Sequence, residues 1–116
     1  MFMWTVIFSP VFNSWFDELD SDEQDSVFYA LKLLEQLGPQ LGRPYADTLY
    51  ESQLSNLKEL RIQHNGKPYR AFYAFDPIRQ AVMLCAGDKT GDKRFYKKMI
   101  PLAEQIYADY LKEKSL

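Results

Sequence analysis

Two arginines face each other across a hairpin that the sequence predicts at residues 60–70, LRIQHNGKPYR. The central Asn-Gly pair tolerates the positive φ angles of a type I′ turn, so two strands joined by two residues are expected. In that register Arg61 lies opposite Arg70, and like charges directly opposite on a sheet destabilise it. A phosphate group held between the two guanidinium groups would relieve the repulsion. On this interpretation the pair is a phosphate site, and replacing Arg70 by alanine leaves the fold intact. A second interpretation stays open, in which the arginines splay apart or pair with Glu59 and other carboxylates.

Further cations follow in the segment CAGDKTGDKRFYKK, which carries five of them within residues 89–98. A strand that continues through Cys85 ends beside the two arginines, which brings Lys89, Lys93 and Arg94 to the same end of the sheet. Tyr96 follows where a helix is predicted to begin, and its ring either stacks on a nucleobase or fills the interface between helix and sheet. The segment is therefore predicted to extend the anion site.

Charge is distributed unevenly along the chain, although the net charge is only −2. Residues 1–57 carry two basic and nine acidic groups, whereas residues 58–98 carry ten basic and four acidic groups. Such asymmetry suggests contact with nucleic acid, and a solvated basic face is the alternative explanation.

Several other chemistries find no support in the sequence. The loop AGDKTGDK lacks the ending of a phosphate-binding P-loop, no serine or cysteine has the motif of a hydrolase nucleophile, and no zinc-ligand spacing occurs. His64 is the only histidine, and its position at the hairpin tip, facing the apolar side, argues against a role as general base. We therefore expect no cofactor and no metal, and positively charged side chains must stabilise any charge that develops on a phosphodiester.

The length of 116 residues predicts a single domain, residues 1–116. No apolar run approaches the roughly 18 residues of a membrane span, and the start lacks the features of a secretion signal. The single cysteine forms no internal disulfide. These features predict a cytoplasmic protein without membrane contact.

The elements that position the arginines follow an α+β pattern, in the order β-α-α-β-β-β-α. WTVIFS predicts a first strand, Ser9-Pro10 opens a short helix, and Ser21 with Gln24 forms the capping box of a second helix that ends at Gly38-Pro39. Residues 39–56 are rich in turns and have no firmly predicted structure; one helical turn is expected around residues 47–54. Three strands follow at about 57–63, 68–75 and 80–86.

A final helix begins near Asp92 and is expected to kink or restart at Pro101. Its core stripe is predicted as Phe95, Met99, Leu102, Ile106 and Leu111. The mainly antiparallel sheet is expected to have all helices on one face, over Leu60, Ile62, Tyr69, Ala71, Tyr73, Phe75, Val82 and Leu84. The other face is expected to be open, with Glu59, Arg61, Arg70, Phe72, Ala74, Met83 and Cys85.

Nearly the whole chain resembles the RelE/HigB-like toxins of bacterial toxin–antitoxin systems, especially the phage-associated HigB-like branch. The resemblance rests on LKELRI, GKPYRAFYAFD, AVMLCAGDKTGDKRFYKKMI and PLAEQIYADYL, which occur in the family's order. It implies a microbial-ribonuclease-type fold and a metal-independent endoribonuclease that cleaves mRNA on the ribosome. It also implies a cognate antitoxin, a helix-turn-helix protein through which alone the toxin would reach operator DNA.

The resemblance also implies roles for individual residues. Arg61 and Arg70 would stabilise the transition state of attack by the ribose 2′-OH, Lys89 or Arg94 would assist the leaving group, and Tyr96 would orient a base or transfer a proton. RNA binding is expected of the lysines in the basic segment and before Arg61: Lys58, Lys93, Lys97 and Lys98.

The chain departs from the resemblance at two positions. Glu59 stands where RelE relatives have lysine, and the histidine that other relatives keep near the chain end is missing, so the general base is unidentified. Two alternatives stay open: a toxin of the ParE type that poisons DNA gyrase, and an RNA-binding module without catalysis.

Overall fold

The structure is a computed structural model that describes residues 3–116. Its α+β class agrees with the prediction, and the elements follow the predicted order with one additional short strand. They are β1 (Thr5–Phe8), α1 (Pro10–Asp17), α2 (Ser21–Leu37), a 3₁₀ turn (Gly38–Gln40), β2 (Ala46–Thr48), β3 (Lys58–His64), β4 (Lys67–Phe75), β5 (Gln80–Asp88) and α3 (Phe95–Glu113).

All five strands form one sheet in the order β1-β5-β4-β3-β2. β1 runs parallel to β5, and every other neighbouring pair is antiparallel. The register of the central hairpin is the predicted one, with Arg61 opposite Arg70. Asn65 and Gly66 both have positive φ, at 49° and 78°, as a type I′ turn requires.

Helices α1 and α2 cover one face of the sheet. Phe12 of α1 and Val27 and Leu34 of α2 are fully buried there, against a sheet surface that includes Leu60 and Tyr73. This is the core that the apolar stripes of the two helices predict.

The prediction that all helices share one face was wrong, because α3 packs on the opposite face. Phe95, Ile100, Ala103 and Tyr107 of α3 are buried with Phe72 in a second core. The predicted core stripe of α3 is confirmed for Phe95, which is buried, and for Met99, Ile106 and Leu111, which pack partly buried against this core; it was wrong for Leu102, which is 42% exposed. Near the first turn of α3, this face carries the charged side chains of Glu59, Arg61 and Arg70.

An irregularity in the pairing of β5 moves three residues to the sheet face opposite the one predicted. Phe72 pairs with Cys85, but the next residue, Tyr73, pairs with Met83, so β5 has one additional residue at Leu84. Met83 therefore joins the core under α1 and α2, whereas Val82 and Leu84 join the core under α3. A bulge of this kind disrupts simple alternation.

The helix ends differ from prediction in two places. The capping box of α2 is formed by Asp20 and Glu23, one residue before the expected Ser21 and Gln24. The α3 helix continues through Pro101 without a restart. Pro101 and Lys97 are both exposed, so water can hydrate the carbonyl group that lacks a helical partner.

Gly38 ends α2 as predicted, and its position requires glycine. Its φ of +53° is unfavourable for other residues, and a Cβ atom would lie 2.3 Å from the indole nitrogen of Trp4. The turn-rich segment after it contains strand β2, and the possible helical turn at residues 47–54 is absent from this part of the described chain. Within residues 3–116, no helix has both the length and the apolar character needed to cross a membrane.

Candidate functional site

The carboxylate of Glu59 lies between the two arginines of the central hairpin. Arg61 Nε donates to Glu59 Oε2 at 3.1 Å, and Arg70 Nε lies 3.7 Å from Oε1. Glu59 is only 3% exposed, although it is charged. The repulsion between the arginines is therefore relieved inside the protein, as the second of our two interpretations held, and an external anion is not needed for that purpose.

Tyr96 completes this cluster from the first turn of α3. Its hydroxyl group donates to Glu59 Oε1 at 2.7 Å, and its ring lies edge-on to Phe72 with 6.1 Å between ring centres. Burial raises the pKa of Tyr96 to about 12, with the hydrogen bond to Glu59 contributing in the same direction and Arg70 opposing it. The phenol is therefore protonated at neutral pH and serves as a donor to the carboxylate.

Lys89 reaches the same cluster from the loop after β5. Its backbone N–H donates to the carbonyl group of Pro68 at 3.0 Å, which fixes the loop beside the start of β4. Its Nζ lies 5.4 Å from the centre of the Tyr96 ring, within cation–π distance. The structure thus brings together four of the predicted residues, Arg61, Arg70, Lys89 and Tyr96, around Glu59.

A second carboxylate extends the cluster toward the sheet edge. Asp47 Oδ2 accepts from Arg61 Nη2 at 3.3 Å and from Arg43 Nε at 2.9 Å. The hydrogen bond from Arg43 is the main cause that lowers the pKa of Asp47. Sequence reasoning missed the contacts of Asp47 with Arg61 and Arg43, because strand β2, which carries Asp47, was not predicted. The alternation of side chains along β3 had already placed Glu59 on the same face as the arginines.

The arginines keep donors that an anion could use. A guanidinium group has five N–H donors, and among residues 3–116 Arg61 uses those on Nε and Nη2, while Arg70 donates from Nη1 to the carbonyl group of Tyr69. The Nε of Arg70 is buried without a hydrogen-bond partner in the described chain. The side chain of Arg61 is 31% exposed and that of Arg70 is 13% exposed. The site can therefore present a charged, partly desolvated pair of guanidinium groups to a phosphate.

The remaining predicted residues lie at the margin or elsewhere. Arg94, Lys93 and Lys97 are exposed around the start of α3, and Lys98 forms an ion pair of 2.7 Å with Asp92. Lys58 lies on the other face of β3: it pairs with Tyr73 in the register, and its Nζ donates to Thr48 Oγ1 at 3.0 Å. The structure does not bring Lys58 to the arginine cluster.

His64 is anchored away from the cluster, on the α2 side of the sheet. Its Nδ1 lies 2.8 Å from Ser26 Oγ, and its ring stacks on that of Tyr69. Tyr69 in turn donates to Glu23 of α2. These contacts fasten the hairpin tip to α2, which gives His64 a structural role.

The described residues, 3–116, contain no group of three His, Cys, Asp or Glu side chains arranged to hold a metal ion. The two carboxylates of the cluster, Glu59 and Asp47, are both paired with arginine.

Comparison with known proteins identifies a family, relatives of similar sequence and a solved structure of similar fold. Residues 14–108 match the family described as Phage derived protein Gp49-like. A protein assigned as the toxin HigB3 of Mycobacterium tuberculosis is 45% identical over 107 residues, which cover 91% of this chain and 92% of that protein. A second protein of that organism, assigned as the toxin HigB2, is 41% identical over 101 residues, covering 85% of this chain and 50% of that protein. Among solved structures, a mutant of the Escherichia coli toxin RelE in the free state superposes with a TM-score of 0.61 at 10% identity, covering 84% of this chain and 95% of that one.

Proposed function

The chain belongs to the Gp49-like, HigB-type family, and we propose that it is the toxin of a toxin–antitoxin pair, an endoribonuclease that cleaves mRNA to arrest growth. The arrangement of Arg61 and Arg70 around Glu59 carries this proposal, because it gathers two guanidinium groups with unused donors on one face of the sheet. Guanidinium groups match the geometry of a phosphate better than any other side chain.

The reaction is attack of a ribose 2′-OH on the adjacent phosphodiester. The 2′-OH loses its proton to water as a bond forms between the 2′ oxygen and phosphorus. The bond from phosphorus to the 5′ oxygen breaks, and the products are a 2′,3′-cyclic phosphate and a 5′-OH end. Arg61 and Arg70 stabilise the negative charge that grows on the phosphate oxygens. The 5′ oxygen gains a proton as it leaves, and Lys89 is better placed than Arg94 to assist it because Lys89 lies over the Tyr96 ring.

Glu59 holds the arginines in place in this proposal and is not the general base. One of its oxygens accepts from Arg61 and the other from Tyr96, so both oxygens are already engaged in holding the cluster together. Tyr96 orients Glu59 and offers its ring to the RNA. Its raised pKa excludes a phenolate at neutral pH, so it does not take the 2′-OH proton either.

Cleavage proceeds without a metal ion in this proposal, since the arginines and Lys89 supply the positive charge that a metal would otherwise provide. The ribosome presents the mRNA, as the resemblance to RelE-type toxins implies. The exposed Lys93 and Lys97 attract the RNA backbone over long distance.

The partner of the toxin is a cognate antitoxin with an acidic or amphipathic segment. The excess of basic groups in residues 58–98 supports this partner, because complementary charge accelerates association. Contact with operator DNA occurs only through the antitoxin.

Primer extension on total RNA after a brief pulse of expression tests the proposed activity. We expect discrete new 5′ ends within coding regions for the wild-type chain and for Arg79→Ala, a matched control whose guanidinium group stacks on Trp4 away from the site. We expect none for Arg70→Ala. Intact transcripts accompanied by double-strand DNA breaks would contradict the proposal and indicate a gyrase poison.

A further inference from the structure

A groove of about 540 Å³ opens at the sheet edge, between α2 and the end of β3. We call it the edge groove. Its lining includes Tyr29 and Asp25 from α2, Tyr45 from the loop before β2, and Arg61 and Gln63 from β3. Clefts of a few hundred cubic ångströms hold small organic ligands, so the edge groove has room for a nucleoside.

Two tyrosine side chains in this lining are exposed to solvent and available for contact with a ligand. Tyr29 is 64% exposed and Tyr45 is 43% exposed. Within residues 3–116, neither ring packs against another aromatic ring and neither hydroxyl group has a hydrogen-bond partner. Exposed tyrosines are favourable platforms for nucleobases, because every base has an aromatic face that can stack on the ring.

Polar groups at the same edge offer both donors and acceptors. Asp25 is exposed, and in the described chain its carboxylate has no hydrogen bond or ion pair. The backbone N–H of Arg61 donates across the sheet edge to the carbonyl group of Tyr45 at 2.8 Å. Backbone groups of alternate residues in a strand point to the same edge, so those of Gln63 also point there, beyond the last residue that β2 pairs.

Arg61 lies at the sheet edge between the two sites: its position in β3 borders the edge groove on the α2 side, and its guanidinium group pairs with Glu59 and Asp47 on the α3 side. We propose that the edge groove binds one nucleobase of the RNA whose phosphate lies on Arg61, with guanine preferred. Guanine alone among the four bases presents two adjacent N–H donors, on N1 and N2, that match the two oxygens of the Asp25 carboxylate. This inference rests on the proposed function and adds the recognition of a base to it.

A segment of the antitoxin fits the edge groove less well than a base does. Strand addition needs a long unpaired edge, whereas β3 ends at His64, one residue after Gln63. An acidic segment of the kind that the basic face attracts would also be repelled by Asp25.

Calorimetric titration of the full chain tests the inference, with inorganic phosphate and the four ribonucleoside 3′-monophosphates as probes. We expect guanosine 3′-monophosphate to bind at least tenfold more tightly than phosphate and more tightly than the other three nucleotides. Tyr29→Ala and Tyr45→Ala should each weaken nucleotide binding about tenfold and leave phosphate binding unchanged. Asp25→Asn should remove the preference for guanine. Tyr50→Ala is the matched control, because Tyr50 is 86% exposed and lies outside the lining.

The possible failures are distinguishable. Equal affinity for phosphate and all four nucleotides would overturn the edge groove as a base site and leave the phosphate site standing. Binding of neither phosphate nor nucleotide to the wild-type chain would overturn both. Unchanged nucleotide affinity in Tyr29→Ala and Tyr45→Ala, together with loss of co-purification with the antitoxin encoded beside the toxin, would overturn the inference in favour of a protein contact.

Discussion

The hydroxyl group of Tyr96 donates a hydrogen bond of 2.7 Å to Glu59, and so joins the first turn of α3 to the middle of the sheet. The bond places an aromatic ring beside the two arginines. It also commits the phenolic proton to a buried carboxylate, which limits what Tyr96 can do in the reaction.

Tyr96→Phe should keep more than a tenth of the cleavage activity, because the ring stays in place and only the bond to Glu59 is lost. We expect the free energy of unfolding to fall by about 1 kcal/mol, the net contribution of one such hydrogen bond. Cleavage rates on a defined RNA and urea denaturation measure the two effects. A loss of activity of 100-fold or more with an unchanged fold would instead assign proton transfer to Tyr96.

Arg70→Ala should abolish growth inhibition and also destabilise the protein. Removal of the Arg70 guanidinium group leaves the carboxylate of Glu59, which is 3% exposed, with one neighbouring cation fewer. We therefore expect the free energy of unfolding to fall by about 1–3 kcal/mol. The loss of a donor to the transition state should lower cleavage by about 100- to 1,000-fold. Arg70→Lys keeps the charge without the planar group, and it should retain part of the cleavage activity and part of the stability.

Thermal melts and growth arrest, measured side by side, test the Arg70 variants. Arg79→Ala serves as the matched control and should match the wild type in growth arrest. A fully toxic Arg70→Ala would remove Arg70 from the site, and an Arg70→Ala variant more stable than the wild type would show that repulsion between the arginines outweighs their pairing with Glu59.

Glu59→Gln separates a positioning role from a catalytic one. The amide keeps the shape but brings N–H donors toward Arg61, so we expect a clear loss of stability, about 2–4 kcal/mol in the free energy of unfolding. Cleavage at a temperature where the variant is folded should fall less than 100-fold, and its pH profile should keep the wild-type shape. If the fall in rate at low pH disappeared in this variant, Glu59 would be the general base, because a general base acts only in its deprotonated form.

Stability should fall at alkaline pH because of buried tyrosines. The pKa of Tyr69 and that of Tyr96 are each raised to about 12, in both cases chiefly by burial, whereas an unfolded tyrosine titrates near 10. Since the folded state favours the neutral phenol, this stability is fully present below about pH 10 and is lost as the pH rises toward 12. Urea denaturation between pH 8 and 11.5 measures the fall in the free energy of unfolding. This fall should be smaller in Tyr96→Phe than in the wild type, and it should equal that of the wild type in the exposed control Tyr50→Phe.

Cleavage of a minimal RNA substrate should persist in EDTA, because the proposed reaction draws its positive charge from Arg61, Arg70 and Lys89. Product ends on a denaturing gel, with and without the chelator, give the measurement. Complete loss of cleavage that magnesium restores would contradict the metal-free reaction. A metal-dependent ribonuclease treated in parallel confirms that the chelator is effective.

Local sequence patterns determined much of this protein. The Asn-Gly turn set the register that places Arg61 opposite Arg70, and Gly38 marked the end of α2, because both features depend on the conformations of a few neighbouring residues. The family resemblance rested on residues that occur in order along nearly the whole chain. The general form of the basic site was therefore predictable from the chain alone.

Tertiary structure decided which partners these residues have. The additional residue in β5 moved Met83 to the other face, and the packing of α3 on the arginine face brought Tyr96 to Glu59. Neither event has a local signal, because a bulge and the side on which a helix packs depend on the fit between distant surfaces. Long-range packing thus placed a carboxylate between two opposed arginines. It also left the edge groove open beside residues 61–64 of β3, which extend past the pairing with β2.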